Sequence, residues 1–168
     1  EGLEWVFFSG FAVEIYTDGE RKAGNDIDIL VKERDLKKTA KRFNSEVEHR
    51  YFKKEEYVVD DYGFEKEFHG IDLEITSGFP KKRVALGTIN VFFKHKVLKR
   101  YLGANIYVVP IEELIVFKAS MNRAKDLRDL QMLRNQQYKN TLIKKFAQDY
   151  GQQKKILAIL QNLGYRIL

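Results

Sequence analysis

Residues 25–31 read N-D-I-D-I-L-V and place two aspartates, Asp26 and Asp28, inside a run apolar enough to be a buried β-strand. Strand side chains alternate between two faces, so both aspartates lie on one face and the neighbouring aliphatic side chains lie on the other. The two carboxylates are only about 7 Å apart along the chain and repel each other unless a cation lies between them. The pattern predicts a strand whose apolar face packs on helices and whose acidic face is either solvated or binds a cation.

A second stretch, G-I-D-L-E-I-T at residues 70–76, repeats this design with Asp72 and Glu74 on one face. If the two strands are neighbours with their apolar faces on the same side, a third carboxylate reaches the first two. Three carboxylates supply the hard oxygen ligands of Mg²⁺, which shares its other positions with water and substrate phosphates. Two such ions about 3.5–4 Å apart would stabilise an in-line phosphoryl displacement, which points to nucleotidyl transfer or metal-dependent hydrolysis.

The pair Ser9-Gly10 stands between an apolar segment, W-V-F-F, and the segment F-A-V-E-I-Y. This order predicts a short strand, a turn of small residues and the start of a helix. Such a turn leaves backbone N–H groups free to bind phosphate oxygens. Ser-Gly turns are common, and this one is informative because it precedes the acidic strand.

Composition narrows the possible classes of protein. The chain of 168 residues contains no cysteine, which excludes disulfides, thiolate zinc sites and cysteine nucleophiles. No apolar run reaches the roughly 20 residues that span a bilayer, and no signal-peptide pattern opens the chain, so a cytoplasmic location is expected.

Charge is distributed unevenly along the chain. Residues 1–80 hold 12 Lys/Arg and 19 Asp/Glu, a net charge of −7, whereas residues 81–168 hold 18 and 5, a net charge of +13. The basic half is typical of a segment that binds an anionic partner such as RNA, although a solvated basic helical surface explains it equally well.

Hydrophobic periodicity predicts an α/β (α+β) core of mixed β-sheet over residues 1–110, with a helical C-terminal region over residues 111–168 packed on it as one compact unit. Strands are expected at residues 5–9, 26–31, on both sides of a D-D-Y-G turn within residues 57–76, in part of 84–93, and at 105–109. Helices are expected after Ser9-Gly10 and at residues 33–43, 111–122, 126–134, 139–150 and 152–163.

Taken together, these motifs resemble the nucleotidyltransferase fold of the DNA polymerase beta superfamily. The resemblance is carried by F-S-G-F-A-V-E-I-Y, E-R-K-A-G-N-D-I-D-I-L-V, I-D-L-E-I and V-F-K-A-S-M-N-R-A-K-D-L-R-D-L, and covers roughly residues 5–134. The chain is most similar to abortive-infection-type toxins and small antibiotic nucleotidyltransferases. It differs from them in having Ser9 where they have glycine, and in a longer spacing between the turn and the first aspartate.

The resemblance implies the chemistry and the residues. It implies Mg²⁺ or Mn²⁺ as cofactor and a nucleoside triphosphate as substrate. Asp26, Asp28 and Asp72 would be the catalytic metal ligands, with Glu74 as the alternative third acid. Ser9, Gly10, Arg21, Lys22 and Lys118 would bind the nucleotide phosphates.

Some residues of the resemblance also have purely structural interpretations. Lys118, in an otherwise apolar helix, could extend its amine to the surface. Asp126 and Asp129 are explained well by ion pairs within their helix, with Arg123 and Lys125 nearby.

The function also has alternatives. The acceptor could be an RNA end, a protein or a small molecule. The chain could instead be a catalytically silent binding module of a toxin–antitoxin or RNA-binding system, or a metal-dependent nuclease. The Ser-Gly turn favours transfer over cleavage.

Overall fold

The computed structural model describes residues 2–53, 58–77 and 93–167. Within these residues, seven strands form one mixed sheet: β1 (Trp5–Phe7), β2 (Asp26–Val31), β3 (Glu48–Lys53), β4 (Val58–Phe68), β5 (Ile71–Thr76), β6 (Val97–Tyr101) and β7 (Ala104–Val108). The helices of the same residues are α1 (Ser9–Tyr16), α2 (Glu33–Arg42), α3 (Ile111–Met121), α4 (Ala124–Leu133), α5 (Asn140–Asp149) and α6 (Gln153–Asn162). The predicted α/β fold class is confirmed.

Strand β2, which carries the D-I-D motif, lies in the middle of a sheet whose order is β3-β4-β5-β2-β1-β7-β6. It runs antiparallel to β1 and parallel to β5, the strand of the I-D-L-E-I motif. The two acidic strands are therefore neighbours. Their register places Asp26 opposite Asp72 and Asp28 opposite Glu74.

The two faces of the sheet bury different cores. On one face Val6, Phe8 and Leu30 pack with α1 and the C-terminal helices. On the other face Val31 and Ile75 belong to a smaller cluster that α2 covers. Because side chains alternate along a strand, the acids of β2 and β5 lie on the face of the larger core.

The C-terminal helices agree with the predicted ones to within two residues at each end. Helix α3 is buried along its whole length, including its charged residues, so it is the central helix of this region. Among the described residues, no helix combines the length and apolar character needed to cross a membrane.

The predicted turn at D-D-Y-G, residues 60–63, is wrong. Strand β4 runs through it without interruption, and the chain reverses instead at His69 and Gly70, which have φ values of 53° and 77°. Gly63 marks a close approach within the sheet rather than a turn. A Cβ atom there would lie 2.7 Å from the carbonyl oxygen of Ile75 and 3.1 Å from Cζ of Arg50.

Two strands were not predicted from the sequence, β3 and β6. Both pair in hairpins, β3 with β4 and β6 with β7, and their alternation is obscured by charged residues on both faces. The strand expected within residues 84–93 falls almost entirely outside the described residues.

Replacing Gly63 by alanine tests this close approach. Because the new methyl group would collide with main chain, Gly63→Ala is expected to lower the free energy of unfolding by about 1–3 kcal/mol, measured by urea denaturation. Glu65→Ala, at an exposed position of the same strand, is the control and should change it by less than about 0.5 kcal/mol. Equal stabilities of the two variants would contradict the packing described for Gly63.

Candidate active site

Three carboxylates converge on the helix-covered face of the sheet. Asp26, Asp28 and Glu74 each offer one oxygen atom, and these three atoms lie within 4.8 Å of one another. Asp28 and Glu74 are partly buried, whereas Asp26 is exposed. This is a set of hard oxygen donors of the kind that binds Mg²⁺ or Mn²⁺.

Asp72, the third acid favoured by the resemblance, occupies a different position. It lies opposite Asp26 in the strand register and is exposed to solvent, but it is not part of the three-carboxylate cluster. Of the two acids that the sequence left open, proximity to Asp26 and Asp28 favours Glu74.

Asp28 lies in a strongly perturbed electrostatic environment. Burial raises the pKa of its carboxyl to about 7, and the negative charges of Glu74 and Asp26 act in the same direction. A hydrogen bond from the Ser9 side chain and the positive charge of Lys118 oppose this rise in pKa. Near neutral pH the cluster therefore needs either a proton or a bound cation.

The Ser9-Gly10 turn lies directly beside Asp28. The backbone N–H of Phe8 donates to the carbonyl oxygen of Asp28 over 3.1 Å, and α1 begins at Ser9. Ser9 adopts a left-handed conformation with φ 52°. The first turn of α1, whose leading N–H groups have no partner within the helix, thus lies beside the carboxylate cluster, and its binding of phosphate stays a prediction.

Gly10 packs closely against the side chain of Arg21. A Cβ atom on Gly10 would lie 3.0 Å from both terminal nitrogens of the Arg21 guanidinium. Arg21 also donates from Nε to Asp129 over 3.1 Å, which connects the loop before β2 to helix α4. Arg21 is therefore held against the Ser9-Gly10 turn.

Lys22 differs from Arg21 in its surroundings. Its side chain is 76% exposed and lies 4.0 Å from Glu14. Both were predicted to bind phosphate, but the structure brings only Arg21 against the turn.

Lys118 is buried, and the interpretation that its amine reaches the surface is wrong. Its side chain is 1% exposed, and Nζ lies 2.7 Å from Asp129 Oδ2 and 3.3 Å from Asp126 Oδ1. The apolar neighbours on α3 leave it no route to water, so two carboxylates of α4 neutralise it. It lies close enough to Asp28 to influence the pKa of that carboxyl.

Asp126 forms the predicted ion pair within its helix and a second one outside it. Arg123 donates to its carboxylate over 2.6 and 3.1 Å. Although burial acts to raise the pKa of Asp126, the hydrogen bond from Arg123 and the charges of Lys118 and Arg123 lower it. Asp126 and Asp129 therefore position Lys118, a role that intrahelical pairing alone does not reveal.

Two further residues of the site escaped the sequence analysis. Arg50 on β3 donates from Nη1 to Glu74 over 2.7 Å and forms two hydrogen bonds, of 2.9 and 3.0 Å, to buried Asp61. Its partners are distant in sequence, and β3 itself was not predicted, so no local signal marked it.

Glu14 anchors the loop between α1 and β2. Its carboxylate accepts hydrogen bonds of 2.6 Å from the backbone N–H of Ala23 and from the hydroxyl of Tyr101. These contacts explain how the long spacing between Gly10 and Asp26 is accommodated, because the extra residues form a loop that is fixed to α1.

No protein-family model and no curated protein matches this sequence. Solved structures do match. A candidate nucleotidyltransferase from Thermotoga maritima superimposes with a TM-score of 0.52 at 20% identity, over 78% of this chain and 81% of that one. The lincosamide antibiotic adenylyltransferase LnuA, bound to lincomycin, does so with a TM-score of 0.52 at 14% identity, over 79% and 87% of the two chains.

At these identities the similarity concerns the fold, and it agrees with the motif order read from the sequence. The mixed sheet, the D-I-D strand and the turn preceding it occur here in one architecture. The chain has a nucleotidyltransferase fold.

Proposed function

We propose that this protein is a Mg²⁺- or Mn²⁺-dependent nucleotidyltransferase that transfers a nucleoside monophosphate from a nucleoside triphosphate to an acceptor. The observation that carries the proposal is the convergence of Asp26, Asp28 and Glu74 beside the Ser9-Gly10 turn. In the reaction, an acceptor oxygen forms a bond to the α-phosphorus while the bond to the pyrophosphate oxygen breaks and pyrophosphate leaves.

The three carboxylates would hold the divalent metal. The donor set fits such an ion because its oxygens are hard ligands, and because a cation would stabilise the ionised form of Asp28, whose pKa is raised by burial and by the charges of Glu74 and Asp26. When bound, the metal would neutralise charge on the phosphate oxygens and stabilise the transition state. Glu74, or Asp72 in the alternative assignment, would accept the proton of the acceptor hydroxyl.

The triphosphate would bind between the turn and the cations. Backbone N–H groups at the start of α1 would donate to phosphate oxygens, and Arg21 lies against this turn. Lys118 would add positive charge from the interior, since Asp126 and Asp129 hold it in place near Asp28. Exposed Lys22 would contribute from the solvent side.

The acceptor is left open by this geometry, because one fold serves many acceptors. The net charge of +13 over residues 81–168 is compatible with an RNA acceptor. Protein and small-molecule acceptors are separated from RNA by incubating the enzyme with labelled nucleoside triphosphates and each class of acceptor.

Metal binding tests the assignment of the third acid. Asp28→Asn and Glu74→Gln are each expected to weaken Mn²⁺ binding by at least about tenfold, the equivalent of roughly 1.4 kcal/mol, in isothermal titration calorimetry. Asp72→Asn, on the same strand face but outside the cluster, should change the affinity less than about threefold. The opposite ranking of Glu74→Gln and Asp72→Asn would restore Asp72 as the third ligand. Unchanged Mn²⁺ affinity in Asp28→Asn would contradict metal binding at the three carboxylates.

The raised pKa of Asp28 predicts a pH dependence. Because the carboxyl must lose its proton before it binds a metal, Mn²⁺ affinity should fall about tenfold as the pH is lowered from 8 to 6, through the pKa of about 7. Calorimetric titrations at pH 6, 7 and 8 measure this. A flat profile would contradict the environment described for Asp28.

The same pKa predicts the effect of Asp28 on stability without metal. Its pKa in the folded protein lies above the ordinary value of 3.8, so protonation favours folding and the stabilising contribution is lost as the pH rises through about 7. At pH 8 in EDTA, Asp28→Asn should therefore have a higher Tm than the wild type. The difference should be smaller at pH 5 and should disappear only below the ordinary pKa of 3.8, where the carboxyl is protonated in the folded and the unfolded chain alike. A lower Tm for the variant at pH 8 would show that the ionised carboxylate is compensated by contacts other than a metal.

A further inference from the structure

A second concave site lies away from the carboxylate cluster. It is a cavity of about 440 Å³, within the size range of small-ligand pockets. Its walls come from the end of α1, strand β6, the first turn of α3 and helix α5. The residues that define its chemistry are Tyr16, His95, Lys99, Glu112, Lys139 and Lys145.

Positive charge dominates this cavity. Lys99, Lys139 and Lys145 all line it, and none of the three forms an ion pair with a carboxylate among the residues that the structure describes. Lys99 lies with Nζ 4.8 Å from the ring centroid of Tyr16. Three like charges that share one cavity repel each other, so an anion bound among them would be stabilised.

The single carboxylate of the lining, Glu112, forms no ion pair with these lysines among the described residues, and the three ammonium groups outnumber it. Its Oε1 accepts a hydrogen bond of 2.9 Å from the backbone N–H of Lys139, and its residue is buried. This contact fixes the main chain just before α5 and does not involve the Lys139 amine. The first turn of α3, at Pro110 and Ile111, adds the positive end of a helix dipole to the lining.

The shape of the lining restricts the ligand. Tyr16 and Phe146 are 7% and 4% exposed, so their rings form part of the floor and offer no face for stacking of a nucleobase. What the cavity presents to a ligand is a set of flexible ammonium groups, which bind phosphate as point charges.

We propose that this cavity is a metal-independent binding site for a phosphate-bearing ligand, recognised through its phosphate group. It shares no residue with the carboxylate cluster. Tyr16 and Ser9 lie at opposite ends of α1, about 10 Å apart along its axis at 1.5 Å per residue. Without a divalent metal the three carboxylates repel anions, so the two sites respond oppositely to EDTA.

Calorimetric titration of inorganic pyrophosphate in EDTA tests the proposal. The double variant Lys139→Gln/Lys145→Gln removes two amines of the cavity but keeps the backbone contact to Glu112. It should weaken pyrophosphate binding about tenfold, because two charge contacts of roughly 0.7 kcal/mol each are lost. Lys99→Gln should weaken it by a smaller factor. Lys154→Gln/Lys155→Gln is the matched control, since it removes two exposed lysines from α6 outside the cavity, and should stay within about twofold of the wild type.

Three outcomes would overturn the proposal. The first is the absence of pyrophosphate binding to the wild type at about 10 mM, a concentration far above the dissociation constant expected of a functional site. The second is an equal loss in the cavity and control variants, which would indicate a diffuse surface effect. The third is retention of affinity in the cavity variant. A Tm equal to that of the wild type verifies that each variant is folded.

A titration with adenosine 5′-monophosphate distinguishes the two possible sources of the phosphate group, a free phosphate and a nucleotide. If adenosine 5′-monophosphate binds no more tightly than inorganic phosphate, the site recognises a free phosphate group; tighter binding of the nucleotide identifies a nucleotide ligand. Titrating Mn²⁺ into Lys139→Gln/Lys145→Gln separates this site from the proposed nucleotidyl transfer, because the variant should lose pyrophosphate binding in EDTA and keep the Mn²⁺ affinity of the wild type; a parallel loss of Mn²⁺ affinity would contradict two separate sites.

Discussion

The parallel pairing of β2 with β5 is the constraint on which the site depends. It places Asp28 opposite Glu74, and the aliphatic residues on the other face of the same strands are buried against α2. The carboxylates cannot separate without breaking main-chain hydrogen bonds and exposing that core, so the protein keeps like charges close together. Burial raises the pKa of Asp28, and the nearby charges of Glu74 and Asp26 raise it further. The proposed binding of a cation would relieve this repulsion.

The surrounding cations are fixed in a similar way, each by a carboxylate from another element. Asp129 binds both Lys118 and Arg21, and so connects α3, α4 and the loop before β2 at the turn that begins α1. Arg50 bridges Glu74 and Asp61. Because these side chains are already oriented, the proposed binding of a charged substrate would require little reorganisation. Within the part of the chain that the structure describes, Lys99, Lys139 and Lys145 of the second cavity have no such carboxylate partner, which distinguishes that cavity from the carboxylate site.

Local sequence predicted the elements with strong periodicity and failed where sheet contacts overrode local signals. The acidic strands and the C-terminal helices follow from alternation and from apolar positions at helical spacing. The D-D-Y-G segment has the composition of a turn, yet it pairs with β3 along its whole length and with β5 at Gly63, and so stays in β4. Gly63 is required there by Ile75 and Arg50 rather than by a reversal of the chain. Strand β3 was missed because charged residues hide its alternation, and the Arg50–Glu74 contact was missed with it.

The sequence by itself determined which face each acid occupies, because a period of two residues assigns Asp26, Asp28, Asp72 and Glu74 to one side of their strands before any partner is known. Only the tertiary structure decided which acids meet. Strand register is a long-range property, set by pairing between segments more than 40 residues apart, and it brings Glu74 rather than Asp72 into the cluster. The environment of Lys118 was likewise decided by the tertiary structure. Its helix is apolar, but the two carboxylates that neutralise its buried ammonium group come from another helix, α4.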